Sequence, residues 1–242
     1  MERALLAAAS GMAAQQQNLD TIADDLANAD VAGFKGSMQI FGELAAPGSP
    51  GAGTVSLGTR VLLAQGKLER AGGPCDLAID GPGFFTVIDA SGRRAYTRDG
   101  SFARAADGSL RNAANQRLEG VRIPAGALSL RVLENGVVQA AFANGTRAAG
   151  RVRLAEFDAP DRLRNVGGAL FEATPDSGPA REVVPGGSDG PKLRFGMLER
   201  SNVSIVEAMM RILTAQRAYE ANAKGVQAAD EMLRIANNLQ RG

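Results

Sequence analysis

Histidine and tryptophan are absent from the 242 residues, and cysteine occurs once, as Cys75. A zinc site would have to be built from carboxylates and at most one thiolate, and an intrachain disulfide is excluded. No metal and no cofactor is therefore expected. No apolar run approaches 18 residues, so no membrane-spanning helix and no direct membrane insertion is expected. The opening Met1-Glu2-Arg3-Ala4-Leu5-Leu6 resembles the start of a signal peptide. However, Glu2, Gln15, Gln16, Gln17, Asn18 and Asp20 interrupt it before a hydrophobic region of sufficient length develops. A large charge imbalance is also missing. Lys and Arg number 27 against 26 Asp and Glu, which makes nucleic acid or an anionic membrane a poor main partner. Residues 92–122 hold seven Arg against three acids, but these arginines lie among turn formers and read as a solvated β surface.

Glycine is abundant, at 30 residues, above a usual share of roughly 7%. Its excess points to turns, and the turns lie in the middle of the chain. The ends are helical. Over residues 2–29, Leu5, Met12, Leu19 and Leu26 repeat at seven, with Ala8, Gln15, Ile22 and Ala29 three places after each. That is the seam of a helix requiring a helical partner. Gly33 should end the helical region, and Asn28, Gly33 and Phe34 should set the exit of the chain.

At the other end Ser204 and Glu207 form an S-x-x-E capping box. Beyond it Ile205, Ile212, Tyr219, Val226 and Leu233 repeat at seven, while Ala208, Ala215, Ala229 and Ala236 repeat three places later, with Asn222 interrupting. Large residues alternate with small ones, so helix axes can approach closely. Val206, Met210 and Leu213 add a second apolar face that a single partner helix does not cover.

Between the ends, short apolar runs such as Leu77-Ala78-Ile79, Phe84-Phe85-Thr86-Val87-Ile88 and Val137-Val138-Gln139-Ala140-Ala141-Phe142 alternate with Asp80-Gly81, Asp107-Gly108 and Asn135-Gly136. Runs this closely spaced, with no helix long enough for a crossover, predict an antiparallel meander or partial barrel. The fold class is α+β, with long N- and C-terminal heptad helices packed as a coiled coil and a Gly-rich, mainly antiparallel β domain between them in the sequence. Residues 1–44 and 196–242 are expected to form a helical core domain, 45–60 a linker or exposed loop, and 61–195 a β-rich outer domain. Residues 174–190 read as a further loop.

No catalytic constellation stands out, and none is expected. Gly81-Pro82-Gly83-Phe84-Phe85 lacks the last glycine of a dinucleotide fingerprint and leads into a strand. Asp76, Asp80, Asp99 and Asp107 adjoin glycine, proline or turn residues, where an Asp ordinarily caps backbone. A secreted binding module remains open as a second function class; it would need neither seam nor polymer.

Three segments resemble the bacterial flagellar axial proteins of the rod and hook group. Asp25-Leu26-Ala27-Asn28 through Gly33-Phe34-Lys35 is similar to that group's Asn-Leu-Ala-Asn and Gly-Phe-Lys motif, although the group usually has Asn where Asp24 and Asp25 stand. Gly81, Gly83, Phe84 and Phe85, followed by Tyr96, Arg98, Asp99, Gly100 and Phe102, resemble the distal-rod and hook branch. Ser201, Asn202 and Val203, leading to Gln216, Arg217, Tyr219 and Glu220, form the third segment.

The resemblance implies a structural subunit of the basal-body rod, closest to the distal-rod branch, whose terminal helices form the core of a hollow drive shaft between motor and hook. The slightly smaller neighbouring rod subunit stays open as an alternative, and a hook subunit further behind. Implied partners are other copies of the chain, other rod subunits, the hook subunit distally and the surrounding ring proteins. Export would use the flagellar type III machinery, without a cleaved signal, into the periplasmic space. The assembly seam expected on this basis comprises Leu5, Met12, Leu19, Ile22, Leu26, Ile205, Ile212, Tyr219, Val226 and Leu233.

Overall fold

The computed structural model describes residues 2–44, 53–187 and 190–241. The expected loop residues 45–52 lie outside them, as does the side chain of Leu233. In chain order the elements begin with α1 (Glu2–Ala27), β1 (Ser37–Glu43), β2 (Thr54–Val61), β3 (Leu68–Arg70), β4 (Leu77–Asp80), β5 (Phe84–Ile88) and β6 (Arg94–Thr97). They continue with β7 (Ala103–Arg104), β8 (Leu110–Arg111), β9 (Arg117–Leu118), β10 (Ser129–Val132), β11 (Val137–Phe142), β12 (Gly145–Arg151) and β13 (Leu154–Glu156). The last are β14 (Arg164–Gly167), β15 (Leu170–Glu172), β16 (Arg181–Val183), β17 (Lys192–Phe195), β18 (Met197–Glu199) and α2 (Ile205–Arg241).

The chain divides into two compact units. The first comprises Met1–Ala27, Ser37–Arg60 and Val203–Gly242, and the second Asn28–Gly36 and Val61–Asn202. These boundaries differ from the sequence expectation. Residues 54–60, read as loop, lie in β2 and pair with β1. Residues 28–36 and 196–202, read as part of the helical domain, belong with the β unit.

In the first unit α1 and α2 run antiparallel, because Gly11 faces Asn222 while Asp25 lies beside Arg211. Ser204 caps α2 as its sequence suggests: its Oγ accepts from Glu207 N at 3.4 Å and its carbonyl from Ala208 N at 2.8 Å. The 37 residues of α2 rise about 56 Å. The β1–β2 hairpin packs on α1 through polar groups. Thr21 Oγ1 donates to Gln39 Oε1, Gln39 contacts Ser56, and Thr54 N donates to Ser10 Oγ. Alternation in a short strand pair does not reveal which face turns inward, which is why this hairpin was illegible as part of the helical unit.

In the second unit, strands in the order β14-β15-β6-β5-β9-β8-β7, with β13 and β16 attached through β5, make the principal sheet. β10, β11 and β12 form an antiparallel three-stranded sheet, and β17 and β18 return to pair with β4 and β3. The three apolar runs read from sequence at 77–79, 84–88 and 137–142 all supply strands. Inward residues of the strands, including Leu77, Ile79, Phe85, Val87, Leu118, Val138 and Leu154, build one core. Phe84, Tyr96, Phe157, Leu163 and Phe171 build a second. The segment 174–190 is not loop throughout, since Arg181–Val183 pairs with β13.

Candidate functional site

The second unit draws parts of all three sequence motifs together. After α1 the chain turns at Gly33 with φ +65°, and the Gly33 amide donates to the Glu199 carbonyl at 2.7 Å. Phe34 and Lys35 are thereby carried inward, and both are buried. Lys35 Nζ donates to Glu199 Oε1 at 2.5 Å and to the Ala64 carbonyl at 2.8 Å. From the strand-and-turn motif, Arg98 Nη1 reaches Glu199 Oε2 at 3.2 Å, and Arg98 Nη2 donates to the Gly81 carbonyl at 2.9 Å. Gly66 N adds a third hydrogen bond to the Glu199 carboxylate at 2.8 Å. Glu199 is fully enclosed and Lys35 nearly so, with side-chain exposures of 0% and 1%.

Asn202 fastens the same junction. Its Oδ1 accepts from Gly36 N at 2.9 Å, and its Nδ2 donates to the Leu62 and Ala64 carbonyls at 2.7 and 2.9 Å. Ser201 and Val203 flank it in the chain.

The electrostatics of this knot are asymmetric, with two cations and one anion. Burial pushes the Lys35 ammonium and the Arg98 guanidinium below their ordinary values, and the Glu199 carboxylate opposes both shifts. The excess charge is partly met by the Phe84 ring, 5.4 Å from the guanidinium carbon. Arg98 Nε is buried without a hydrogen-bond partner among the described residues. Such a cluster holds separated chain segments in one geometry, because breaking any link strands a buried charge.

The remaining motif residues build the surrounding frame. Phe84 packs edge-on against Phe157 and Phe171, Phe85 against Phe102, and Tyr96 against Phe157. Asp99 Oδ1 accepts from Ser101 N and Oγ, and the Gly100 carbonyl accepts from Leu77 N. The other turn carboxylates are also occupied. Asp76 takes Gly73 N, Asp80 pairs with Arg194, and Asp107 holds Ser109 and Arg111. Among the arginines of 92–122, Arg93 pairs with Asp89, Arg94 with Glu119 and Arg111 with Asp107.

Glu199, the centre of the knot, was not singled out from the sequence. It lies two residues before Ser201 in an exposed-looking Leu198-Glu199-Arg200-Ser201 run, and nothing local marks it as buried.

The first unit shows which residues close the helix pair within one chain. The helix pair closes on small residues: Ala14 on α1, and Ala208, Ala215 and Ala229 on α2, are buried, and Gly11 lies against Asn222. Of the expected seam residues whose side chains are described, Ile22 alone is buried. Leu5, Met12, Leu19, Leu26, Ile212 and Val226 are half-buried, while Ile205 and Tyr219 remain 44% and 39% exposed. Small side chains let the backbones approach, which turns the large heptad row onto the flank of the pair. On the outer side of α2, Val206, Met210 and Leu213 are 69%, 58% and 58% exposed, and Met209 lies among them. Gln216, Arg217 and Glu220 continue this exposed surface. These motif residues therefore contribute little to the fold of one chain.

Three family models match in the order of these motifs. They are described as flagella basal body rod protein over residues 5–35, flagellar hook protein FlgE/F/G D1 domain over 78–140, and flagellar basal body rod FlgEFG protein C-terminal over 195–239. The chain is 37% identical to the flagellar basal-body rod protein FlgG of Borreliella burgdorferi, over 100% of both chains. It is 33% identical to FlgG of Agrobacterium fabrum over 97% of this chain and 98% of that one, and 30% identical to FlgG of Bacillus subtilis over 100% of both.

The class is thus an axial structural protein of the bacterial flagellum, with helical termini on either side of a β domain in the sequence. Within it, the chain belongs to the flagellar basal-body rod family, on its FlgG-like, distal-rod branch. That membership associates it with other rod and hook components. No described helix is long and apolar enough to cross a membrane.

Proposed function

We propose that this subunit polymerises through the outer face of α2, formed by Ile205, Val206, Met209, Met210 and Leu213, against other copies of itself. The product is the distal segment of a hollow drive shaft. The exposed apolar row on the first three turns of α2 carries this reading, since a contiguous apolar face on a soluble helix ordinarily marks another contact. Leu5, Met12, Leu19, Leu26, Ile212, Tyr219 and Val226 would extend the contact along the helix pair, with Ile22 locking the pair behind it.

In this reading neighbouring rod subunits meet the polymer at one end, the hook subunit at the other, and ring proteins surround it. The chain reaches the periplasmic space through the flagellar type III machinery. The helical unit would form the inner layer of the shaft and the β unit its outer layer. Distal-rod placement over the smaller neighbouring subunit is supported by the full-length match to relatives named flagellar basal-body rod protein FlgG.

Val206→Asp with Leu213→Asp is the direct test. Both sites are exposed, so each change should alter monomer stability by only about 0.5 kcal/mol. Swimming should nevertheless be lost, and basal bodies should stop short of the hook under electron microscopy. Wild-type motility with complete rods would refute the proposed face.

A further inference from the structure

Asp25 stands at a junction of three elements of the first unit, near the C-terminal end of α1. Its carboxylate is enclosed, with the side chain 2% exposed. Oδ1 accepts from the amide of Ser37, the first residue of β1, at 2.9 Å. Oδ2 lies 3.7 Å from Arg211 Nη1 of α2, an ion-pair distance beyond ordinary hydrogen-bond range.

The charged groups facing it are few. Asp24 adjoins it on α1, and Arg211 faces it from α2. Glu207, one helical turn before Arg211, lines the groove that Arg211 shares with Gln15 and Asn18. β1 contributes the Ser37 amide and, two residues on, the uncharged Gln39.

A carboxylate here loses hydration, sits beside a like charge and meets the negative end of the α1 dipole. Its compensation is one amide and one distant cation. The protonated acid keeps the Ser37 bond and removes the buried charge and the repulsion from Asp24. Arg211, with 31% of its side chain exposed, can then turn to water.

We propose that Asp25 is a proton-operated fastening that ties the end of α1 and the start of β1 to α2, tight when protonated and looser when ionised. Burial, as the largest cause, pushes its carboxyl from the ordinary 3.8 to about 6; Asp24 adds to the rise, while the Ser37 amide and Arg211 work against it. The folded form therefore holds the proton more firmly than the unfolded chain. The stabilising contribution is fully present below pH 3.8 and is lost as pH rises through about 6. Acidification from neutral should tighten this unit, the reverse of the usual response of a paired carboxylate. Because the readouts concern a single folded chain, failure of the proposed polymer contact leaves this inference untouched.

The test uses the full-length chain. Carbon-detected NMR titration of the Asp25 carboxyl should give a midpoint near 6, and Arg211→Gln should move that midpoint upward. Amide exchange at Ser37 and in the last two turns of α1, corrected for the intrinsic pH dependence of exchange, should show about tenfold greater protection at pH 5.0 than at pH 7.5. Asp25→Asn should bring that ratio close to one and protect the segment better at pH 7.5 than the wild type. A midpoint near or below the ordinary value overturns the proposal, as does an Asp25→Asn chain that keeps the tenfold ratio. Should Asp25→Asn not fold, the wild-type titration and its response to Arg211→Gln decide the matter.

Discussion

Glu199→Gln is expected to destabilise the second unit by about 3–5 kcal/mol, because it leaves Lys35 and Arg98 buried with no anion between them. The substitution preserves shape, so the loss is one of charge compensation rather than of packing. Its amide could accept from Lys35 or from Gly66 but would also present two donors to a site already rich in donors. A loss of this size is a large fraction of the net stability of an ordinary domain, and much of the protein would be unfolded in mild urea.

The double variant Lys35→Met with Glu199→Gln provides the internal control. Removing one cation should recover part of the loss, so the two changes together should cost less than their separate costs added. Urea denaturation of the four chains in that cycle is the measurement. A Glu199→Gln chain within about 1 kcal/mol of the wild type would show that the buried triad does not hold the junction.

Gly33→Ala should be of comparable severity by a different route. Gly33 adopts φ +65°, where an L residue costs about 1–2 kcal/mol. An added Cβ would also collide with the carbonyl carbon of Arg98 and the amide nitrogen of Asp99. Backbone cannot swing aside as a flexible side chain does, so relief must come from moving Gly33 away from Glu199, breaking the 2.7 Å hydrogen bond between them. Because Lys35 follows two residues later, that movement also withdraws the ammonium from its carboxylate. A loss of about 3 kcal/mol or more is expected, with reduced thermal stability and poor accumulation of the folded chain. Gly92→Ala is a suitable comparison, since it shares a positive φ of 85° but has open space where its Cβ would stand. If the two variants melt together, conformational strain alone accounts for Gly33 and the close approach to Arg98 and Asp99 has no consequence.

The sequence marked Gly33 as part of a helix exit, Lys35 as the next motif residue but one, and Arg98 among turn formers. It did not mark their meeting. Local periodicity reports on neighbours within a few residues, whereas Lys35 and Glu199 are 164 residues apart. The charge of Glu199 argued for a surface position, and only its two buried partners reverse that expectation. The heptad rows raise a related difficulty. Periodicity established that α1 and α2 each carry an apolar seam, with large and small rows side by side on α2. Which row closes the pair depends on how near the axes come, and Gly11, Ala14 and the α2 alanines allow an approach that leaves Ile205 and Tyr219 on the outside.

Sequence by itself determined the two terminal helices, the cap at Ser204, the runs that became the main strands, and the family, through motifs at the ends and in the middle. Each is set by interactions between residues close in the chain or by an ordered string of residue types. Tertiary structure decided the rest. It placed residues 54–60 in a hairpin on α1, joined Lys35, Arg98 and Glu199 into one buried cluster, and selected the small residues for the helix pair. Those outcomes depend on which faces remain after backbone hydrogen bonds and core volume are satisfied, a condition imposed by the whole chain at once.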